Sequence, residues 1–453
     1  MVKLSPSQRA KLEALWRTMP AEKRGMLLAS AKAAADMDPG SQKLFTIIAE
    51  LEESTRQPAG DLAKPYVLAP LRALVGDPSL VPPSRFRFTP EDLSKIWGWL
   101  ARHLAKDLVE RAKKCKKPEP DPIWFEFRRE AGETLTKALQ AAERVPKDMT
   151  ALLKRFGPDA KGMLVDAATL LTHSEAIARS MKALPDKIDE FDPELVEKVR
   201  EMHEELSKDQ PEAALWMLLL TIGRLSQPWQ IFRVIAKIGK REDDLVVSKT
   251  DLAAVGDAIL ADTGFFAAKL KQPPQTLEEA KVAFALFDNF VLHSSGMTAE
   301  FGIRKAGRWG QVLFSLRAEA SSNVEKILNK IPLALDSGLP EPRRGRSGRI
   351  IPAQLPNASS IDRVEGLLYF LCKSREHTNA AAIVSTHKRI LDLAEKRMNE
   401  AGELLVDLVA SSEGQNRTTA QDGLEITARL LAVTGFEESA SLLRRRGLAA
   451  AAA

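Results

Sequence analysis

A hydrophobic period of roughly 3.6 residues runs through almost the whole 453-residue chain, and it restricts the chain to folds built from packed helices. Strand signals are nearly missing. The β-branched clusters, such as Leu245-Val246-Val247, are too short to found a sheet. Helix starts carry sound chemistry. Thr89-Pro90-Glu91-Asp92 sets a capping hydroxyl ahead of a proline suited to the first helical position, then acids at the positive helix end. Asp192-Pro193-Glu194 repeats that order, and Thr276-Leu277-Glu278-Glu279 reads as a capping box in which Glu279 reaches back to the Thr276 amide. The expectation is an all-α protein of about seventeen helices with no β-sheet. It is either an irregular multi-helix bundle or a degenerate α-solenoid, since no residue pattern recurs at a fixed period.

Proline marks the breaks, because it donates no backbone hydrogen bond and restrains the residue before it. Residues 76–90 and 116–122 read as extended connectors, and Asp336 to Ser360 holds four prolines, three glycines and four arginines without a helical period. The regions expected are 1–145 (N-terminal helical region), 146–335 (central core), 336–357 (Pro/Gly/Arg-rich loop), 358–446 (C-terminal bundle) and 447–453 (Ala-rich tail). At 44% hydrophobic and 28% charged residues, the chain is not disordered as a whole. Its best apolar run, Ala213 to Ile222, falls well short of the roughly 18 residues of a membrane span. The start runs straight into a polar helical pattern without a signal-peptide core, so the cytoplasm is the expected location.

Two segments, 213–220 and 282–287, are apolar on all sides and are expected to be central helices of one core, beside Trp229, Phe232, Phe265, Phe266, Phe290, Trp309 and Phe314. Leu391, Ala394, Met398, Ala401, Leu405 and Leu408 form a heptad seam. It pairs either within the chain, against 360–376 or 419–434, or with a partner helix.

Catalytic patterns are scarce. There is no Gly-x-Gly-x-x-Gly after a strand, no Gly-x-x-x-x-Gly-Lys loop, no His-Glu-x-x-His and no Gly-x-Ser-x-Gly. Ser385-Thr386-His387-Lys388 fits a bare Ser-x-x-Lys, a pattern that arises easily by chance. Cys115 and Cys372 supply neither a disulfide framework nor a four-cysteine zinc site. No catalytic residue, metal ligand or cofactor is therefore assigned. Were there a pocket, His293 at the end of the 276–296 helix would be its titrating group; the other reading is a core histidine. His173, His203, His377 and His387 stand among polar residues and are expected to be solvated.

Charge is the remaining lead. The net charge of +5 is nearly balanced over the whole chain, so any basic site is local. Three clusters stand out: 111–117, the loop arginines Arg343, Arg344, Arg346 and Arg349, and Arg444-Arg445-Arg446. Opposed to them, 186–212 carries eleven acids and four bases. Cations at helix C-termini complement the helix dipole, which accounts for the first and third clusters but not for the loop. Arginine forks suit phosphates and carboxylates. The function expected is a non-enzymatic helical scaffold or adaptor mediating protein–protein interaction, self-association included. The alternatives are a polyanion-binding module acting through 343–349 on nucleic acid or an anionic membrane surface, and an enzyme of unfamiliar type with a pocket near His293.

Overall fold

The structure is a computed structural model, and it describes residues 63–72, 74, 86–115, 122–241, 243–346, 350–352 and 354–452, with scattered positions before residue 63. The chain is all-α, with twenty α-helices among the described residues. Inside the arginine loop a two-rung antiparallel ladder interrupts the helices. In it β1 (Arg343–Arg344) pairs with β2 (Ile350–Ile351).

The contacts divide the chain into two compact units, 1–75 with 88–175 and 76–87 with 176–453. These cut across the regions expected from the proline breaks. Residues 146–175 belong to the first unit, and one buried cluster runs from Phe265 to Ala450 straight past the 336–357 loop. Proline breaks a helix, but the apolar faces on either side decide what packs together.

In the first unit the described helices are α1 (Lys64–Val67), α2 (Ala69–Arg72), α3 (Pro90–Trp99), α4 (Lys106–Lys114), α5 (Ile123–Arg144), α6 (Pro146–Phe156) and α7 (Ala160–Thr172). The Thr89 cap forms as read from the sequence: Thr89 Oγ1 accepts from the Asp92 amide at 3.1 Å, and Asp92 accepts from the Thr89 amide at 2.8 Å. Trp124, Phe127, Ala131, Leu135 and Leu139 recur at three- and four-residue spacing as the buried stripe of α5. On the same helix Arg128 is buried and donates from Nε and Nη2 to the Tyr66 carbonyl at 2.9 and 2.7 Å. Burial lowers its pKa to about 10, so the guanidinium stays charged and acts as an internal clamp.

α8 spans Ser174–Met181. The second unit continues with α9 (Pro193–Ser207), α10 (Pro211–Ile222), α11 (Phe232–Gly239), α12 (Asp244–Val247), α13 (Ala253–Lys269), α14 (Leu277–Glu300), α15 (Arg308–Leu328) and α16 (Ile331–Gly338). After the ladder come α17 (Ala358–Ser374), α18 (Val384–Ser411), α19 (Gly414–Val433) and α20 (Glu437–Ala452). Asp192 caps α9 by accepting from the Leu195 amide at 2.8 Å. Thr276 caps α14 as expected, but Glu279 reaches the Gln275 amide, at 2.8 Å, rather than that of Thr276.

α10 is buried along most of its length, as its composition demands. The 282–287 segment of α14 is not its counterpart. Leu286 and Phe287 are buried, whereas Val282 is 50% exposed, and Phe314 on α15 is also on the surface. Leu286 and Phe287 join a core built with α17–α20, and the α10 side chains lie outside that cluster. Trp309 seats against Gly256, where a Cβ would lie 2.3 Å from the indole. Only glycine lets α13 and α15 approach this closely.

A candidate polyanion-binding face

The loop holding Arg343, Arg344, Arg346 and Arg349 is fastened at its root. Arg397 of α18 pairs with Asp336 at 2.9 Å and Glu341 at 2.7 Å, and donates to the Pro332 carbonyl at 3.0 Å. Directly opposed residues of an antiparallel ladder share a face. Arg344 and Ile350 therefore point one way: Ile350 packs on the core, and Arg344 Nη2 meets Asp407 Oδ2 at 3.1 Å. Arg343 and Ile351 point the other way, both exposed. Arg346, in the turn, is exposed as well, and Arg349 lies outside the described residues. No carboxylate among the described residues pairs with Arg343 or Arg346.

The other basic clusters are largely neutralised. Arg111 grips both carboxylate oxygens of Glu130, and Lys113 pairs with Glu110 at 3.0 Å. Arg444 forks onto Glu425, and Arg446 onto Glu403. Those guanidinium groups hold the Glu425 and Glu403 carboxyls below the usual carboxylate range. Within the acidic stretch, Glu197 and Glu204 are drawn onto Arg200, and Lys237 adds to Glu197.

One juxtaposition is invisible in the sequence. Glu403 and Asp407 stand one turn apart on α18, where Arg446 of the tail and Arg344 of the loop converge on them. Asp407 also adds to the field that raises the Arg446 pKa, after Glu403 itself. Two basic clusters a hundred residues apart thus border one surface. Its arginines 343, 344, 346 and 446 outnumber the two carboxylates.

The heptad seam points inward. Ala394, Met398, Ala401, Leu405 and Leu408 are buried in the main core of the unit, and Leu391 packs against it. Leu443 of α20 lies over Gly402 of this helix, and Leu405 of the seam lies over Gly423 of α19, so the seam packs against the chain's own C-terminal helices.

His293 is buried, 6% exposed, and its Nδ1 has no hydrogen-bond partner. Trp229 and Phe266 pack edge-on against the ring at 5.2 and 5.1 Å. Burial, aided by the nearby Arg87 cation, lowers its pKa to about 4, so it is neutral at ordinary pH. Arg87 pairs with the buried Asp262 at 2.9 Å, and burial nevertheless pushes the Asp262 carboxyl up. This is a packed cluster in which the imidazole is held as a third ring. His387, expected in solvent, is buried, with Nε2 2.8 Å from the Leu371 carbonyl. His377 is another departure: it lies 2.8 Å from Asp288 and stacks on Phe284. Polar neighbours in sequence misled because consecutive helical residues face different sides. Ser385 and Lys388 line a shallow groove with Ala382, Val384, Arg389 and Asp392, all from one short stretch of chain. No trio of His, Cys, Asp or Glu among the described residues is placed to hold a metal ion. Likewise, no described helix is long and apolar enough to cross a membrane.

Compared with protein-family models, with curated proteins and with solved structures, the chain matches none.

Proposed function

We propose that this chain is a helical scaffold that works by binding rather than by chemistry, and that the arginine loop on its second unit is the contact that takes an anionic partner. One observation carries the reading. The cations of 111–114 and of the tail are largely tied to carboxylates, whereas Arg343 and Arg346, beside a ladder anchored to α18, are exposed and pair with no carboxylate among the described residues. An unpaired guanidinium on an anchored support keeps its fork for an incoming phosphate or carboxylate, and little ordering is needed on contact. Three buried polar residues fit the same reading: Asp244, Asp262 and His387 are engaged by the protein's own backbone or side chains.

Heparin retention tests this reading. The intact chain should be held at low salt and released as salt rises. The variant Arg343→Ala, Arg344→Ala, Arg346→Ala, Arg349→Ala should elute far earlier with its helix content unchanged. Equal retention of the two proteins removes the loop from the function.

A further inference from the structure

The loop's outward face is not purely cationic. Arg343 shares its rung with Ile351, which is 56% exposed. On α20, Leu442 lies three and four residues before Arg445 and Arg446, and Leu448 lies three after Arg445. Leu442 and Leu448 are 49% and 73% exposed, on the side of α20 away from its buried Ala440, Leu443 and Gly447. Both elements border the same Glu403–Asp407 turn of α18. Single exposed leucines are common on protein surfaces. Here, however, aliphatic side chains stand beside exposed guanidinium groups without a carboxylate partner among the described residues, on two elements that border the same turn of α18.

A nucleic acid backbone engages the cations alone, through its phosphates. A bilayer engages both kinds of side chain, with anionic headgroups above and hydrocarbon just beneath. We infer that the face formed by Arg343, Arg346, Ile351, Leu442, Arg445 and Leu448 docks on the surface of an anionic lipid bilayer, the arginines on headgroup phosphates and carboxylates and the aliphatic side chains in the interfacial layer. The inference rests on the reading of the loop as an anion contact and names the anion's source. Arg344 stays with Asp407 until headgroups compete for it.

The test is sedimentation of the intact chain with phosphatidylcholine vesicles, with and without phosphatidylserine, run beside heparin retention on the same proteins. The expected result is binding only to the phosphatidylserine vesicles, weakened by salt. Each exposed arginine contributes about fivefold to the partition coefficient, so the variant lacking the four loop arginines should lose at least about tenfold. Ile351→Ser with Leu448→Ser, both surface changes, should lower vesicle binding about fivefold or more and leave heparin retention and melting temperature unchanged. That split between the probes marks the hydrocarbon layer. Heparin retention without vesicle binding overturns the bilayer inference and leaves the anion reading standing; loss of both ends both. Equal binding to vesicles lacking phosphatidylserine, or vesicle binding indifferent to the serine variant, overturns the inference as well. So does tighter binding to duplex DNA or polyglutamate than to the vesicles.

Discussion

His293 gives the sharpest check on how the second unit is held together. Its ring is enclosed by Trp229 and Phe266 with Nδ1 unpartnered, and its pKa falls from 6.5 to about 4, mainly through burial. Well above pH 6.5 neither the folded nor the unfolded chain protonates this ring, and the packed site retains its full stability. As the pH falls from there, the unfolded chain takes up a proton that the folded one refuses, so stability drops. The loss is complete near pH 4, and the displacement amounts to about 3 kcal/mol. His293→Leu removes the titrating group while keeping a side chain of similar bulk. Urea unfolding of the second unit, followed at several pH values from 8 to 4, compares each protein with itself at pH 8. Wild type should lose about 3 kcal/mol more than the variant over that range. Equal losses would refute a buried, neutral imidazole, and a wild type that gains stability on acidification would mean a charged partner for His293.

Other expectations follow from packing and hydrogen bonding. Leu405→Ala should destabilise the second unit by about 2–5 kcal/mol in urea without changing the mass seen by light scattering, because the seam packs within the chain. Gly256→Ala, whose Cβ would lie 2.3 Å from the Trp309 indole, should cost about 1–3 kcal/mol and alter the tryptophan emission. Asp244 accepts from the Arg304 and Gly310 amides at 3.0 and 3.2 Å in a fully buried position. Asp244→Ala strands both donors and should destabilise by about 2–3 kcal/mol, with hydrogen exchange rising first across residues 302–310.

Fold class was legible because it is a local property. The 3.6-residue period and the Thr89, Asp192 and Thr276 caps are written within a few residues of the helices they specify. Relations between helices were not. Val282 to Phe287 is apolar throughout, yet Val282 is in solvent, since the composition of a segment does not say how many neighbours surround it. The seam from Leu391 to Leu408 carries the same pattern whether its partner is another chain or α19 and α20. His387 looked solvated among Ser385, Thr386 and Lys388, but it faces inward to the Leu371 carbonyl. For the candidate site, local composition alone singles out the loop arginines. Their meeting with Arg446 across Glu403 and Asp407 depends on helix packing that no local signal encodes.

Salt dependence of heparin-fragment binding addresses the binding role of the arginine loop most directly. Each cation that pairs with the polyanion releases a counterion, so the slope of log affinity against log salt counts the engaged arginines. The four loop arginines should contribute about −3 to −4 to the slope, about 0.9 per arginine on the B-DNA scale, so the four-alanine variant should give a much shallower slope than the intact chain. Identical slopes for the two proteins would place the anion contact elsewhere and contradict the account.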